Sequence, residues 1–531
     1  MKSSGEPAPR ILVADPIAED GVRKLRESAD VELVQRLSED ELVARIGPFA
    51  ALVVRSETKV TRRVIEAGVN LRVIGRAGVG VDNIDLDAAT ANGILVVNAP
   101  TGNTVAAAEH TIALMLAMSR NVAVGDASLR AGRWDRSKLV GSELRGKTLG
   151  VVGLGKIGAE VARIALALQM RVIAFDPLVA TERAAQLGVQ LGSLEAVLGG
   201  ADILTLHTPL NDGTRGLIGA KQLALMPPGA RVINVGRGGL LDEDALAEAV
   251  ASGHLAGAAV DVFVKEPLPP GHPFLSEPRI LITPHLGAST VEAQVSVATD
   301  VAEQIMEVLA GRPARWSVNA PRVAQEEIAV VVPYQDLALR MGSLWAQLGG
   351  GAVRRVELIY RGEVGRVQSA AITAEALGGM LRHFSQDRVT AVNAIEVARQ
   401  HGIEVDEQRS SEAGSFAGAL LLRVDGEGPR EIEGTVVLGE PRVMRIDGLR
   451  MNLVPVGSFL MLYHRDRPGL IGEIGQLLGQ GNVNIAEMQV GRDEPRGRAV
   501  TAVRVDDTVP PDLAARLRRI EGVESLHLVE L

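Results

Sequence analysis

The 531-residue sequence has no cysteine. Disulfides, zinc ribbons and thiol nucleophiles are therefore excluded, and nothing points to an oxidising compartment. Aromatic residues amount to 2%, so any core must be built from Ala, Val, Leu and Ile. An excess of one sign of charge is also missing. The formal net charge is −9 with both signs well mixed, which argues against non-specific nucleic-acid binding, although a local basic patch could hold a small anion. Long apolar runs are absent too. The longest apolar helical stretch, Thr111 to Met118, is far short of the ~18 residues of a membrane span. The start, Met1 to Arg10, is polar and does not read as a signal peptide. A cytoplasmic chain without membrane, nucleic-acid or metal partners is expected.

What is present is globular: 46% hydrophobic against 23% charged residues excludes a disordered or fibrous chain. At ~150 residues per domain the length predicts three or four domains. Short apolar runs alternate with helical patterns from the start. RILVAD at Arg10, ALVVR at Ala51, LRVIGR at Leu71 and GILVVN at Gly93 read as strands. This rhythm predicts a parallel sheet with helices on both faces. A long helix, Thr104 to Arg120, precedes a second series. Its strands are Thr148–Val152, Arg171–Phe175, Ile203–His207, Arg231–Val235, Gly257–Val262 and Ile280–Thr283. A helix from about Thr290 to Leu309 then meets a junction rich in Pro, Gly and Arg, Gly311 to Pro321. The predicted fold class is α/β, with two Rossmann-like doubly wound sheets. An α+β intervening region and a ferredoxin-like βαββαβ tail follow.

Gly153-Leu154-Gly155-Lys156-Ile157-Gly158 fits GxGxxG. The pattern alone is weak, but an apolar strand enters it, a helical stretch leaves it, and the next strand ends on Asp176, 18 residues past Gly158. Gly153 permits the tight turn, Gly155 lets a pyrophosphate approach, and Gly158 allows close helix–strand packing. Asp176 should accept hydrogen bonds from ribose hydroxyls and repel a 2′-phosphate, so NAD is expected over NADP.

Three further segments sit where strands of this sheet end. Arg237 follows one in VINVGRGGLL, Asp261 and Glu266 follow the next in AVDVFVKEP, and His285 follows another in LITPHLGAST. Oxidising a hydroxyl to a carbonyl needs a base for the proton. It also needs a cation for the substrate's carboxylate and oxygen, and an anion to orient the base. His285, Arg237 and Glu266 supply one of each. Glu266 would favour the imidazolium as proton donor in the reducing direction. Taken singly, each residue could be a turn or surface residue; His254 and His272 are expected to be no more than that.

Two N-terminal strand ends bear on substrate. Arg55-Ser56 follows one, and Arg76 with Gly78, Val79 and Gly80 follows another. The glycines would expose backbone amides to a carboxylate, Asn103 could add a donor, and Arg55 and Arg76 could hold a distal phosphate. Arg130, Arg133, Arg136 and Lys138 could add charge, with Arg136 acting from a neighbouring subunit.

VVGLGKIG, HTPL at His207, NVGRGGLLDE, DVFVKEP and TPHLGAST resemble the D-isomer-specific 2-hydroxyacid dehydrogenases, in order and spacing across about residues 10 to 317. The resemblance implies a discontinuous substrate domain, 1–102 with 290–317, and an inserted NAD domain, 103–289. It implies Arg237, Glu266 and His285 as catalytic residues. The NAD contacts it implies are Lys156, Ile157, Asp176, Thr208, Val235, Gly236, Arg237, Asp261, His285, Leu286, Gly287 and Ala288. It further implies a dimer or tetramer, with the Asn103–Arg120 helix as a contact. The tail sequence YHRDRPGLIGEIGQLLGQGNVNIAEMQVGR, from Tyr463, is similar to ACT domains, small modules that bind amino acids. By that likeness His464, Asp466 and Asn484 would hold an effector, with Asp466 standing where that family often has Asn. This places an intervening domain at 318–455 and the regulatory domain at 456–531. The whole order resembles long-chain family members that open the phosphorylated route to serine. That implies oxidation of 3-phospho-D-glycerate to 3-phosphohydroxypyruvate with NAD, L-serine as effector, a tetramer, and 2-oxoglutarate reduction as a side activity. A glyoxylate or hydroxypyruvate reductase, or a non-catalytic NAD-sensing binding protein, is the alternative.

Overall fold

A computed structural model describes residues 7–412 and 414–531; the polar start Met1–Glu6 lies outside them. The first sheet contains β1 (Arg10–Val13), β2 (Asp30–Leu33), β3 (Ala51–Val54), β4 (Val73–Arg76) and β5 (Leu95–Asn98). All pairs are parallel and the order is β2-β1-β3-β4-β5. The strand order reverses between β1 and β3. In open parallel sheets such a reversal leaves a crevice at the carboxyl ends, where ligands bind.

The second sheet holds β6 (Thr148–Val152), β7 (Arg171–Phe175), β8 (Gln190–Leu191), β9 (Ile203–Leu206), β10 (Arg231–Asn234), β11 (Gly257–Val260) and β12 (Ile280–Ile282). It too is wholly parallel, ordered β12-β11-β10-β9-β6-β7-β8. Its reversal lies between β6 and β9. Both strands are buried along their whole length, which is why they read as unbroken apolar runs rather than as an alternation.

The helix Val291–Leu309 does not stay with the second sheet. Thr290 caps it through the Ala293 amide. Val297, Val301 and Ile305 then pack with Ile11, Val53 and Val73 of the first sheet. Each such fully buried aliphatic side chain contributes ~1.5–3 kcal/mol, enough to return the chain to its starting layer. The helix Thr104–Ser119 instead packs on Leu149 and Val151 of the second sheet.

The third sheet is mixed, with β13 (Val353–Gly362), β14 (Glu404–Ser410), β15 (Gly418–Gly426), β16 (Glu431–Val437), β17 (Glu440–Ile446) and β18 (Leu449–Leu453). Its order is β14-β13-β15-β16-β17-β18, and only β13 and β14 run parallel. The strand-like runs of the sequence here, Val353–Tyr360, Gly418–Val424 and Thr435–Leu438, fall on β13, β15 and part of β16, whereas β14, β17 and β18 are passed over. The fourth sheet, β19 (Ser458–Arg465), β20 (Ile485–Arg492), β21 (Arg498–Val505) and β22 (Val523–Glu530), is antiparallel. With the helices Leu470–Gln480 and Pro511–Arg518 it forms the expected βαββαβ unit, ordered β20-β21-β19-β22. Its two faces bury different partners. Leu460 and Leu462 meet their own helices, whereas Phe459 and Met461 share one core with the third sheet.

Among the described residues no single helix is long and apolar enough to cross a membrane, and no cluster of three or more side chains could hold a metal ion.

Candidate active site

The cofactor crevice opens at the reversal between β6 and β9. Gly153, at φ 93°, takes the turn after β6; a Cβ there would lie 2.8 Å from the His207 carbonyl oxygen. A Cβ on Gly158 would collide with the Gly153 carbonyl, so the helix Lys156–Ala167 can approach the strand only without one. A Cβ on Gly155 would meet nothing within 4 Å. Gly155 is the N-cap of that helix, and an anion is favoured at a helix N-terminus. Asp176 ends β7 half-buried. It accepts the Leu154 amide at 2.8 Å and the Leu178 amide at 2.8 Å, and each oxygen keeps a lone pair for a ribose hydroxyl. Thr208 Oγ1 and His207 Nδ1, past the end of β9, are buried without a partner among the described residues. Burial pushes the His207 imidazole down to about 4, so it is neutral near pH 7. The residues present fit a dinucleotide. Lys156 projects away from the loop: its Nζ lies 4.5 Å above the Trp316 ring of the return segment.

The catalytic candidates follow three neighbouring strands, β10, β11 and β12. His285 Nδ1 lies 2.8 Å from Glu266 Oε2, and Glu266 Oε1 accepts the Phe263 amide at 3.0 Å. Burial pushes the Glu266 carboxyl up, but these two hydrogen bonds outweigh it and hold it below the ordinary range. The carboxylate is therefore charged near neutral pH and fixes the imidazole through Nδ1. With Nδ1 so engaged, Nε2 is the ring nitrogen that remains for another partner.

Asp261, fully buried, organises the turn that carries His285. It accepts the Leu286 amide at 2.8 Å, the Gly287 amide at 2.9 Å and the Thr283 hydroxyl at 2.6 Å. Its main-chain carbonyl accepts the His285 amide at 2.9 Å. His110, on the helix Thr104–Ser119, places Nε2 3.2 Å from Asp261 Oδ1. No local sequence pattern marks His110, because its partner is 151 positions away. Asn234 shapes the Arg237 turn in a similar way, accepting the Gly236 amide and donating to the Arg237 carbonyl.

Arg237 reaches the first sheet. Its Nε stands 3.5 Å from Asp82 Oδ2, and a Cβ on Gly80 would collide with its guanidinium. Arg76 is folded back over Gly78 and half-buried. Burial, with Arg237 beside it, pushes its guanidinium down to about 10, so it stays charged. Its Nε, Asn98 Oδ1 and Asn103 Oδ1 have no partner among the described residues. Val79 accepts the Asn98 side-chain amide at 2.6 Å. Arg55 is half-buried near Arg76, and Ser56 is exposed.

The later basic run is different. Arg130 pairs with Asp126, and Arg133 and Lys138 pair with Asp135; Arg136 opens an exposed short turn. In the tail, His464 is buried, with Nε2 2.7 Å from Thr501 Oγ1 and Nδ1 3.0 Å from the Arg465 carbonyl. Asp466 accepts from Arg492 and the Arg496 amide. Asn484 donates to Asp506, and its amide donates to Asp507. Of the histidines outside the candidate site, His254 bonds the Leu223 carbonyl and His272 pairs with Glu243.

Comparison with known proteins covers the same ground. Residues 112–287 match the D-isomer specific 2-hydroxyacid dehydrogenase NAD binding domain. Residues 330–447 match the D-3-phosphoglycerate dehydrogenase intervening domain, and residues 458–522 match the ACT domain. The chain is 43% identical over 526 residues to a D-3-phosphoglycerate dehydrogenase of Synechocystis sp., covering 98% of this chain and 95% of that protein. It is 41% identical to the Archaeoglobus fulgidus enzyme of the same name, covering 98% and 100%. Among solved structures, the NAD-dependent formate dehydrogenase of Staphylococcus aureus in complex with NAD superposes with a TM-score of 0.53 at 28% identity. That match covers 57% of this chain and 96% of the other.

Proposed function

We propose, from the premise that this chain belongs to the D-3-phosphoglycerate dehydrogenase family, that it oxidises 3-phospho-D-glycerate to 3-phosphohydroxypyruvate. This is the first step of the phosphorylated route to L-serine. The chain is an NAD-dependent oxidoreductase. The observation that carries the reading is the 2.8 Å His285–Glu266 pair on strands adjoining the Arg237 turn, beside a glycine crevice.

NAD supplies the acceptor for the hydride that leaves the substrate's C2 carbon. His285 Nε2 takes the C2 hydroxyl proton, and Glu266 stabilises the imidazolium that results. Arg237 holds the C1 carboxylate and polarises the C2 oxygen. In reverse, the imidazolium returns the proton to the carbonyl oxygen, the step that 2-oxoglutarate reduction would use. Arg55 and Arg76 stand on the first sheet to receive the distal phosphate, with Ser56, Asn103 and the Gly78–Gly80 amides completing the substrate's surroundings.

The fourth sheet is proposed to answer to L-serine through His464, Asp466 and Asn484. The working form is proposed to be a cytoplasmic homo-oligomer, with a tetramer expected. Val105, Leu116, Val122, Leu129 and Trp134 are exposed on and after the helix Thr104–Ser119, Trp134 at 81%. A second copy covering them would remove that apolar surface from water, and could bring Arg136 to a neighbouring site.

The test is NADH absorbance on a substrate panel, with and without L-serine. A kcat/KM for 3-phospho-D-glycerate at least tenfold above that for unphosphorylated D-glycerate is expected. Preference for the unphosphorylated acid would overturn the substrate, and no absorbance change with any hydroxy acid would favour an NAD sensor.

A further inference from the structure

We infer that Asp15 and Asn83 are positioning residues for the Arg55 turn, and that through it they set the preference for a substrate with a second anionic end. This deepens the reading above and rests on it.

The crevice of the first sheet lies between β1 and β3. Asp15 follows β1 and is 2% exposed. Its Oδ2 accepts the Arg55 amide at 2.5 Å and the Thr58 amide at 3.2 Å, and its Oδ1 accepts the Thr58 hydroxyl at 2.5 Å. Asn83 comes from the loop after β4 and holds the opposite side of the same four residues. Its Nδ2 donates to the Arg55 carbonyl at 2.8 Å and to the Thr58 carbonyl at 2.6 Å. One side chain thus takes the amides of the turn Arg55–Thr58 and the other takes its carbonyls. Between them they bind both polar groups of its first and last residues.

A turn held at both ends has one backbone conformation, so the Arg55 and Ser56 side chains leave it in a fixed direction. Pre-set geometry matters here because forked guanidinium bonds to a phosphate are directional. The Arg55 side chain itself donates to the Pro16 carbonyl at 3.3 Å, also on the loop after β1. Asp15 has a second consequence. It lies within electrostatic range of Arg76, which also feels Arg55, Arg237 and Asp82. A buried carboxylate beside converging guanidiniums lowers the cost of holding them together before substrate arrives. Neither Asp15 nor Asn83 touches the reacting atoms, and neither belongs to the glycine loop. Their removal should therefore leave cofactor binding and proton transfer alone.

The experiment compares kinetics on 3-phospho-D-glycerate and D-glycerate for the wild type, Asp15→Ala, Asp15→Asn and Asn83→Ala. Asn at position 15 can still accept the amides with its oxygen while donating to the Thr58 hydroxyl, so it keeps the turn and removes the charge. For Asp15→Ala and Asn83→Ala the expected result is a tenfold or greater rise in KM for the phosphorylated acid. The KM for NAD and the kcat should stay within threefold, and the ratio of kcat/KM values for the two acids should fall by the same factor as KM rises. Asp15→Asn is expected to restore most of that ratio. If Asp15→Ala does not fold, Asn83→Ala carries the test, since Asn83 is less buried. A wild type with no preference for the phosphorylated acid overturns the substrate reading. A wild type with that preference, and an Asn83→Ala variant that keeps it in full, overturns the inference alone.

Discussion

The two parallel sheets each reverse their strand order once, and the two crevices are filled differently. Between β6 and β9 the chain leaves space: Gly155 faces nothing within 4 Å, and Thr208 Oγ1 is buried without a partner among the described residues. Between β1 and β3 a carboxylate of the chain itself occupies the corresponding place, and Asp15 takes up the amides that a bound anion could have used. Both crevices follow from the same topology. The first is built to receive a large ligand bearing its own phosphates. The second is closed by an internal anion so that a neighbouring turn can present an arginine. An acid stands at a strand end in both, but Asp176 is half-buried with lone pairs to spare, whereas the buried Asp15 is committed to the turn.

Three substitutions sharpen or break that contrast. The largest effect is expected from His285→Ala, which removes the proposed acid–base group rather than the glycine loop. Loss of a positioned acid–base group costs roughly 10²–10⁴-fold in kcat. Binding of NADH, followed by fluorescence titration, should be retained; its loss would mean that His285 builds the cofactor crevice as well.

Next comes Gly155→Val. Its side chain would fill open space, so the melting temperature should change little while the Kd for NAD rises roughly 100-fold, because the pyrophosphate loses its approach to the helix amides. Calorimetric titration with NAD and a thermal melt read the two quantities. A fall in stability with unaltered NAD affinity would show that the space is packing and not a ligand site.

The smallest effect belongs to Asp176→Asn. The amide oxygen can still accept from Leu154, but the charge that repels a 2′-phosphate is gone. A loss of about tenfold in the NAD-over-NADP ratio of kcat/KM is expected, on the order of 1.4 kcal/mol. An unchanged ratio would assign Asp176 to the loop alone.

Six of the seven strands of the second sheet were legible as short apolar runs, most of them deeply buried; the two-residue edge strand Gln190–Leu191 was not. Thr148–Val152 and Arg171–Phe175 match their apolar runs to the residue. Strand Glu404–Ser410 was not legible. It is an edge strand, bonded only to β13, and EVDEQRS buries neither face enough to show a period of two. Leu449–Leu453 does alternate buried with exposed residues, yet at five residues it is too short to stand out. The glycine loop, Arg237, Glu266 and His285 could be read because each sits in a short motif at a strand end. Asp15, Asn83 and His110 carry no motif. What they do depends on partners 25 to 151 positions distant along the chain.

Local order set the class of protein: apolar run, turn and helix follow from neighbours a few residues apart, and so do the residue types that chemistry at a strand end requires. Packing alone decided which buried acid holds which turn, and that a loop of one sheet meets Arg237 of the other. Contacts of that kind close only when whole layers stack. Their geometry is a property of the assembled core and not of any stretch of chain.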